Sequence, residues 1–109
     1  MKKIALIIGV SEYGVGLNPL KGTLKDIEAL QTVLVNPEIG GFQSEDVTLL
    51  ANPNRQQMES AIFALFRHLT ASDLGLLYFS GHGIKDDRGT LFFGTSDSYK
   101  TTQGELHPA

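Results

Sequence analysis

The 109-residue chain contains no cysteine. Disulfides, thiolate metal centres and a cysteine nucleophile are therefore excluded within it. Basic side chains are few and scattered. Nine Lys and Arg against twelve Asp and Glu leave a net charge of −3, which argues against a nucleic-acid surface. No apolar run approaches the ~20 residues of a membrane span. Met1-Lys2-Lys3 followed by Ile4 to Val10 has the outline of a short leader. However, Glu12 and Tyr13 stand where a small-residue cleavage site would be, so this run reads as a buried first strand. A soluble, cytoplasmic chain without membrane partners is expected. There is no internal repeat and no low-complexity segment. Apolar residues make up 41% and charged residues 19%, ordinary values for one globular domain with a single core.

Ile4 to Gly9 is continuously apolar, as in a strand buried on both faces of a parallel sheet. Ser11 to Pro19 is a loop rich in Gly and Asn. Thr23 opens a helix whose Leu24, Ile27, Leu30 and Leu34 recur near helical spacing, and Pro37 ends it. A second loop spans Glu38 to Ser44, and Val47 to Leu50 is a short strand. Asn54 caps the next helix, with Met58, Ala61, Ile62, Leu65, Phe66 and Leu69 forming its apolar stripe. Leu74 to Ser80 is the third strand. Lys85 to Gly89 is a charged turn, and Thr90 to Gly94 returns as a strand, giving a hairpin. From Thr95 onward the chain is polar and unpatterned.

The order β-α-β-α-β with right-handed crossovers predicts an α/β fold with a mostly parallel sheet, order 2-1-3, and a hairpin after strand three. The chain direction reverses between strands one and three, and ligands of open α/β sheets bind at such a reversal. That puts His82, at the end of strand three, at the expected crevice. Strand three is left with a free outer edge, and Leu76, Leu77, Tyr78 and Phe79 are too apolar for one. A further strand, a partner chain or a second copy should cover it.

His82 stands between Gly81 and Gly83, with no neighbouring side chain to block a ligand. It reads either as a tight-turn residue bonded locally or as a general base. His68 and His107 read as solvated. Asp26, three residues after Thr23, fits a capping box, which accounts for the pair without any function. Gly9, Gly14 and Gly16 do not form a phosphate loop, since spacing and a Gly-Lys-Ser/Thr ending are both missing. Asp86, Asp87 and Asp97 offer oxygen to a hard cation. Asp86-Asp87-Arg88-Gly89 is equally ordinary turn chemistry, and no EF-hand spacing is present.

Three segments in order resemble the caspase-like cysteine peptidases, especially bacterial metacaspase-type members. They are Lys3 to Val10, Leu20 to Leu30, and Tyr78-Phe79-Ser80-Gly81-His82-Gly83. The resemblance covers nearly the whole chain. It implies a three-layer caspase-like fold, with residues 1–109 as its amino-terminal half. It also implies a cysteine endopeptidase acting on protein or peptide substrates without an organic cofactor. His82 would be the catalytic base and the Gly83 N–H an oxyanion donor. Ser80 and Asp26 would lie in the pocket for the residue before the scissile bond. Leu20 stands where caspases that cut after Asp carry an arginine, so Asp26 without that arginine implies cleavage after Arg or Lys. By the same resemblance Asp97 falls near a calcium-ligating aspartate of some metacaspases, which makes Ca²⁺ a possible ligand.

In caspases the nucleophilic cysteine follows the histidine by about 50 residues. That point lies beyond Ala109, so the isolated chain is expected to be inactive. A partner chain or carboxy-terminal half pairing with strand three would complete it. The alternative is a non-catalytic caspase-like module that binds or scaffolds, and an unrelated small α/β ligand-binding domain is a third possibility.

Overall fold

The computed structural model describes residues 1–85, 88–100 and 106–107. Strand β1, Lys3–Gly9, lies at the centre of a three-stranded sheet. β2, Val47–Ala51, pairs parallel to it on one side, with Ala5 opposite Val47. β3, Leu74–Ser80, pairs parallel on the other, with Lys3 opposite Leu74. The order β2-β1-β3 is the expected one.

The alternation of β1 divides the core between two helices. Ala5 and Ile7 pack with Ile27 and Leu34 of helix α1, Thr23–Val35, and with Phe42 and Val47. Leu6, Ile8 and Val10 pack with Met58 and Leu65 of helix α2, Arg55–Arg67. Side chains at i and i+1 on a strand face opposite ways, so a strand apolar at every position has to be covered twice. Helix, sheet and helix thus form three layers.

The helix starts differ. Asn54 caps α2 through a complete capping box, its side chain accepting from Gln57 N–H at 2.8 Å while Gln57 Oε1 accepts from Asn54 N–H at 2.9 Å. The capping box expected of Thr23 and Asp26 is absent. Gly22 is the N-cap at φ 89°, and no side chain caps the helix. Gly22 takes the left-handed turn that L-residues resist, which brings Thr23 inside the first turn and buries it in packing. Phe66 is also misassigned by the stripe: it is 59% exposed, because the face of α2 that meets the sheet is centred on Met58 and Leu65.

After β3 the hairpin forms as expected. β4, Gly83–Lys85, pairs antiparallel with β5, Leu91–Phe93, as a separate two-stranded sheet. Asp86 and Asp87 lie outside the described residues. The segment from Thr95 is more ordered than its composition suggests. Thr95 and Ser98 are buried, and Ser96 N–H donates to the Pro53 carbonyl at 3.0 Å. Beyond them β6, Tyr99–Lys100, pairs antiparallel with β7, Leu106–His107. Thr95 and Ser98 are buried as polar residues, joined by the bond from the Thr95 amide to the Ser98 hydroxyl at 2.9 Å, which a hydropathy pattern does not register.

Candidate functional site

β1 and β3 end side by side, with Gly9 opposite Ser80, and the Val10 amide donates to the Ser80 carbonyl at 2.9 Å. Two residues later stands His82, half-buried, at the sheet reversal where topology placed it. Its imidazole Nε2 lies 2.8 Å from the Asn18 backbone carbonyl. A carbonyl oxygen only accepts, so Nε2 carries the proton in the neutral ring and Nδ1 holds the free lone pair. Among the described residues Nδ1 has no hydrogen-bond partner. The ring is therefore oriented through Nε2, with the Nδ1 lone pair not engaged by a described residue, which is the arrangement a general base needs.

The main chain of His82 is fixed as well. Its N–H donates to the Tyr13 hydroxyl at 2.7 Å, and that hydroxyl donates to the Val10 carbonyl at 2.9 Å. The Tyr13 and His82 rings meet edge to face, with centroids 4.6 Å apart. Burial pushes the Tyr13 phenol above its ordinary value, while the bond from the His82 amide pulls in the opposite direction.

The two glycines flanking His82 have different reasons. A Cβ on Gly81 would fall 2.6 Å from the Tyr13 hydroxyl and 2.8 Å from Phe79 Cζ. The space beside Gly81 is thus occupied by the protein itself, contrary to the reading that it stays clear for a ligand. At Gly83 a Cβ would meet Leu91 Cδ1 at 3.3 Å. Gly94 N–H donates to the His82 carbonyl at 2.8 Å. In the antiparallel register this single bond, the His82 N–H being taken by Tyr13, puts His82 and Gly94 at a hydrogen-bonding position and makes Gly83–Phe93 the non-bonded pair. The N–H of Gly83 consequently turns away from β5.

The remaining sequence candidates are distributed around this centre. Ser80, partly buried, closes β3 and uses its carbonyl for Val10. Asp26 is exposed on the first turn of α1 and has no hydrogen bond from its carboxylate to a described residue. Near it, a cavity of about 340 Å³ opens between Ser11, Glu12, Leu20, Lys21 and Lys25, and Asp26 is not part of its wall. Asp97 sits elsewhere. Its Oδ1 accepts from Arg55 N–H at 3.1 Å, at the start of α2, and from the Thr95 hydroxyl. Among the described residues no three His, Cys, Asp or Glu are grouped to hold a metal. His68 is exposed at the end of α2, and the side chain of His107 lies outside the described residues.

Sequence reasoning missed Tyr13, Asn18 and Asn52. Asn52, at a left-handed φ of 51°, accepts from the amides of Ser11 at 2.8 Å and Glu12 at 3.1 Å. It thereby fixes the start of the loop that carries both Tyr13 and Asn18. The only local signal was Asn itself, the non-glycine residue that tolerates this backbone best. Nothing local pairs residue 13 with residue 82.

Among curated proteins the chain is similar to metacaspase-1 of Arabidopsis thaliana, 29% identical over 92 residues, covering 77% of this chain and 24% of that protein. It is similar to metacaspase-1 of the yeast Lodderomyces elongisporus, 29% identical over 90 residues, covering 75% of this chain and 19% of that protein. It spans about a quarter or less of the length of these relatives. Among the described residues no helix is long and apolar enough to cross a membrane. The family model for the caspase domain matches residues 2–106, a span running from the first strand through the His82 turn to the last hairpin, and on that match the chain belongs to the caspase family of peptidases.

Proposed function

We propose that this chain is the histidine-bearing part of a caspase-type cysteine endopeptidase that cuts protein or peptide substrates after Arg or Lys. The observation that carries the reading is the bond from His82 Nε2 to the Asn18 carbonyl, which leaves Nδ1 as the acceptor for a proton. Nδ1 takes the proton of a cysteine thiol, and the thiolate attacks the scissile carbonyl. The Gly83 N–H, unpaired toward β5, stabilises the oxyanion. Asp26, exposed and acidic, receives the basic side chain in the pocket for the residue before the scissile bond, to which Ser80 also belongs. Leu20, in the wall of the neighbouring cavity, stands where caspases that cut after Asp carry an arginine. No organic cofactor is required. Because these 109 residues hold no cysteine, the thiol comes from another segment or chain, and the chain by itself is inactive.

The test is co-expression with a cysteine-bearing downstream region of a related caspase domain. Turnover of Arg and Lys peptides is expected only in the complex, and it disappears with His82→Ala or a thiol alkylator. Asp26→Ala lowers that turnover by about tenfold or more, the order expected for losing a paired charge. Turnover by the chain alone that survives both His82→Ala and alkylation excludes the mechanism.

The open edge of β3 favours one other reading, a module that binds a partner strand without cleaving. A stable complex that forms through β3 and is indifferent to His82→Ala would support it.

A further inference from the structure

We infer that Tyr13 is a positioning residue that holds His82 in its Nε2–H tautomer, an inference that rests on the role of His82 proposed above. The phenol makes three contacts with its neighbours at once. Its oxygen accepts the His82 N–H at 2.7 Å, its proton goes to the Val10 carbonyl at 2.9 Å, and its ring meets the imidazole edge to face at 4.6 Å. One donor and one acceptor are all that a tyrosine hydroxyl is sure to offer, and both are used on backbone groups.

The site is shaped around this phenol. A Cβ at Gly81 would fall 2.6 Å from the hydroxyl. A Cβ at Gly94 would stand 2.9 Å from Tyr13 Cε1 and 3.2 Å from the His82 carbonyl oxygen. Both glycines therefore leave room for Tyr13, and Gly94 also bonds the His82 carbonyl. With its N–H and C=O both tied and its ring in edge-to-face contact with Tyr13, His82 has few ways to turn. The remaining freedom is removed by the Asn18 carbonyl.

Tyr13 and Asn18 belong to the same loop. Its ends are joined by the Leu20 amide on the Ser11 carbonyl at 2.9 Å. A single loop therefore fixes both the backbone of His82 and the acceptor of its ring proton. Losing the phenol hydroxyl frees the first of these restraints and loosens the second.

The experiment is nuclear magnetic resonance on the ¹⁵N-labelled chain, with long-range proton–nitrogen correlation of the imidazoles about two units above the ordinary histidine pKa of ~6.5. In the native chain His82 is a single Nε2–H tautomer. In Tyr13→Phe the two tautomers mix, and the His82 amide exchanges about tenfold faster, as for loss of one hydrogen bond. Amide positions in α2 and β2 stay unchanged. Gly81→Ala, which pushes on an intact phenol and on Phe79, is read beside the Gly81→Ala/Phe79→Leu double variant, which relieves the second contact; the same two changes in both decide the question where Tyr13→Phe alters the spectrum globally. A single unmixed tautomer with unchanged amide exchange in the folded variant means that Tyr13 only fills space. These readouts need no nucleophile and no substrate, so a failure of the peptidase chemistry leaves them standing.

Discussion

Asn52 shows how far from the imidazole its orientation is decided. The residue follows β2 directly, yet its side-chain oxygen holds the Ser11 and Glu12 amides, and its own N–H returns to the Gly9 carbonyl at 2.8 Å. Asn52→Ala removes that acceptor and also forces alanine into the left-handed region. Asn52→Gly keeps the backbone and removes only the acceptor. Denaturant unfolding should show both variants destabilised, alanine more than glycine, with the shared part about 1–3 kcal/mol for orphaned amides. If glycine matched the native chain, the side-chain bonds would contribute nothing. Asp73 gives a second residue-level prediction. Its carboxylate accepts from the Lys2 amide at 3.0 Å and from the Thr70 amide and hydroxyl, and these bonds hold it below the ordinary carboxylate range. A value lowered by folding stabilises the native state fully above the unfolded value, about pH 4. The contribution fades as pH falls through the folded value. Thermal unfolding of Asp73→Asn should therefore lose less stability than the native chain on acidification below about pH 4. Parallel acid limbs would rule that contribution out.

Among the elements, β1 to β5 and the second helix could be read from sequence because each is specified locally. Apolar continuity marks β1, and Asn54 with Gln57 marks the start of α2 through bonds spanning three residues. Asn54→Ala should cost about 1 kcal/mol in denaturant unfolding, and an unchanged midpoint would show the cap to be dispensable. Thr23 opens α1 as expected, but what caps that helix could not be read in this way. Thr23 and Asp26 have the spacing of a cap, but the Ser11–Leu20 bond and the left-handed Gly22 decide where the helix begins. The candidate site divides along the same line. His82 was found from a strand end and two glycines. Tyr13 and Asn18 were not, since their bonds to His82 span 69 and 64 residues. The residues after Thr95 failed for a related reason. Ser98 is fully buried by polar contacts, its carbonyl taking the Gly14 amide at 2.7 Å.

For the whole molecule the decisive asymmetry, among the described residues, is that β1 is paired on both sides and β3 on one. β3 is the least covered strand of the sheet: Leu74 is 45% and Tyr78 36% exposed, whereas Ile7 of β1 is fully buried. In a parallel ladder alternate residues direct both backbone groups to the same neighbour. The Leu74 amide donates to the Lys2 carbonyl, and the Ser80 carbonyl accepts from Val10, so the even-numbered residues of β3 face β1. Gly75, Leu77 and Phe79 therefore turn their N–H groups to the open edge. Hydrogen exchange of the isolated chain should be slow at Leu76, Tyr78 and Ser80 and fast at Gly75, Leu77 and Phe79. A partner that adds a strand to this edge, whether the cysteine-bearing segment of the peptidase or another chain, would slow the three odd positions while leaving the even ones unchanged. Protection of all six at low protein concentration, in a chain shown to be monomeric, would mean that the edge is already covered and that the sheet is not completed by strand addition at β3.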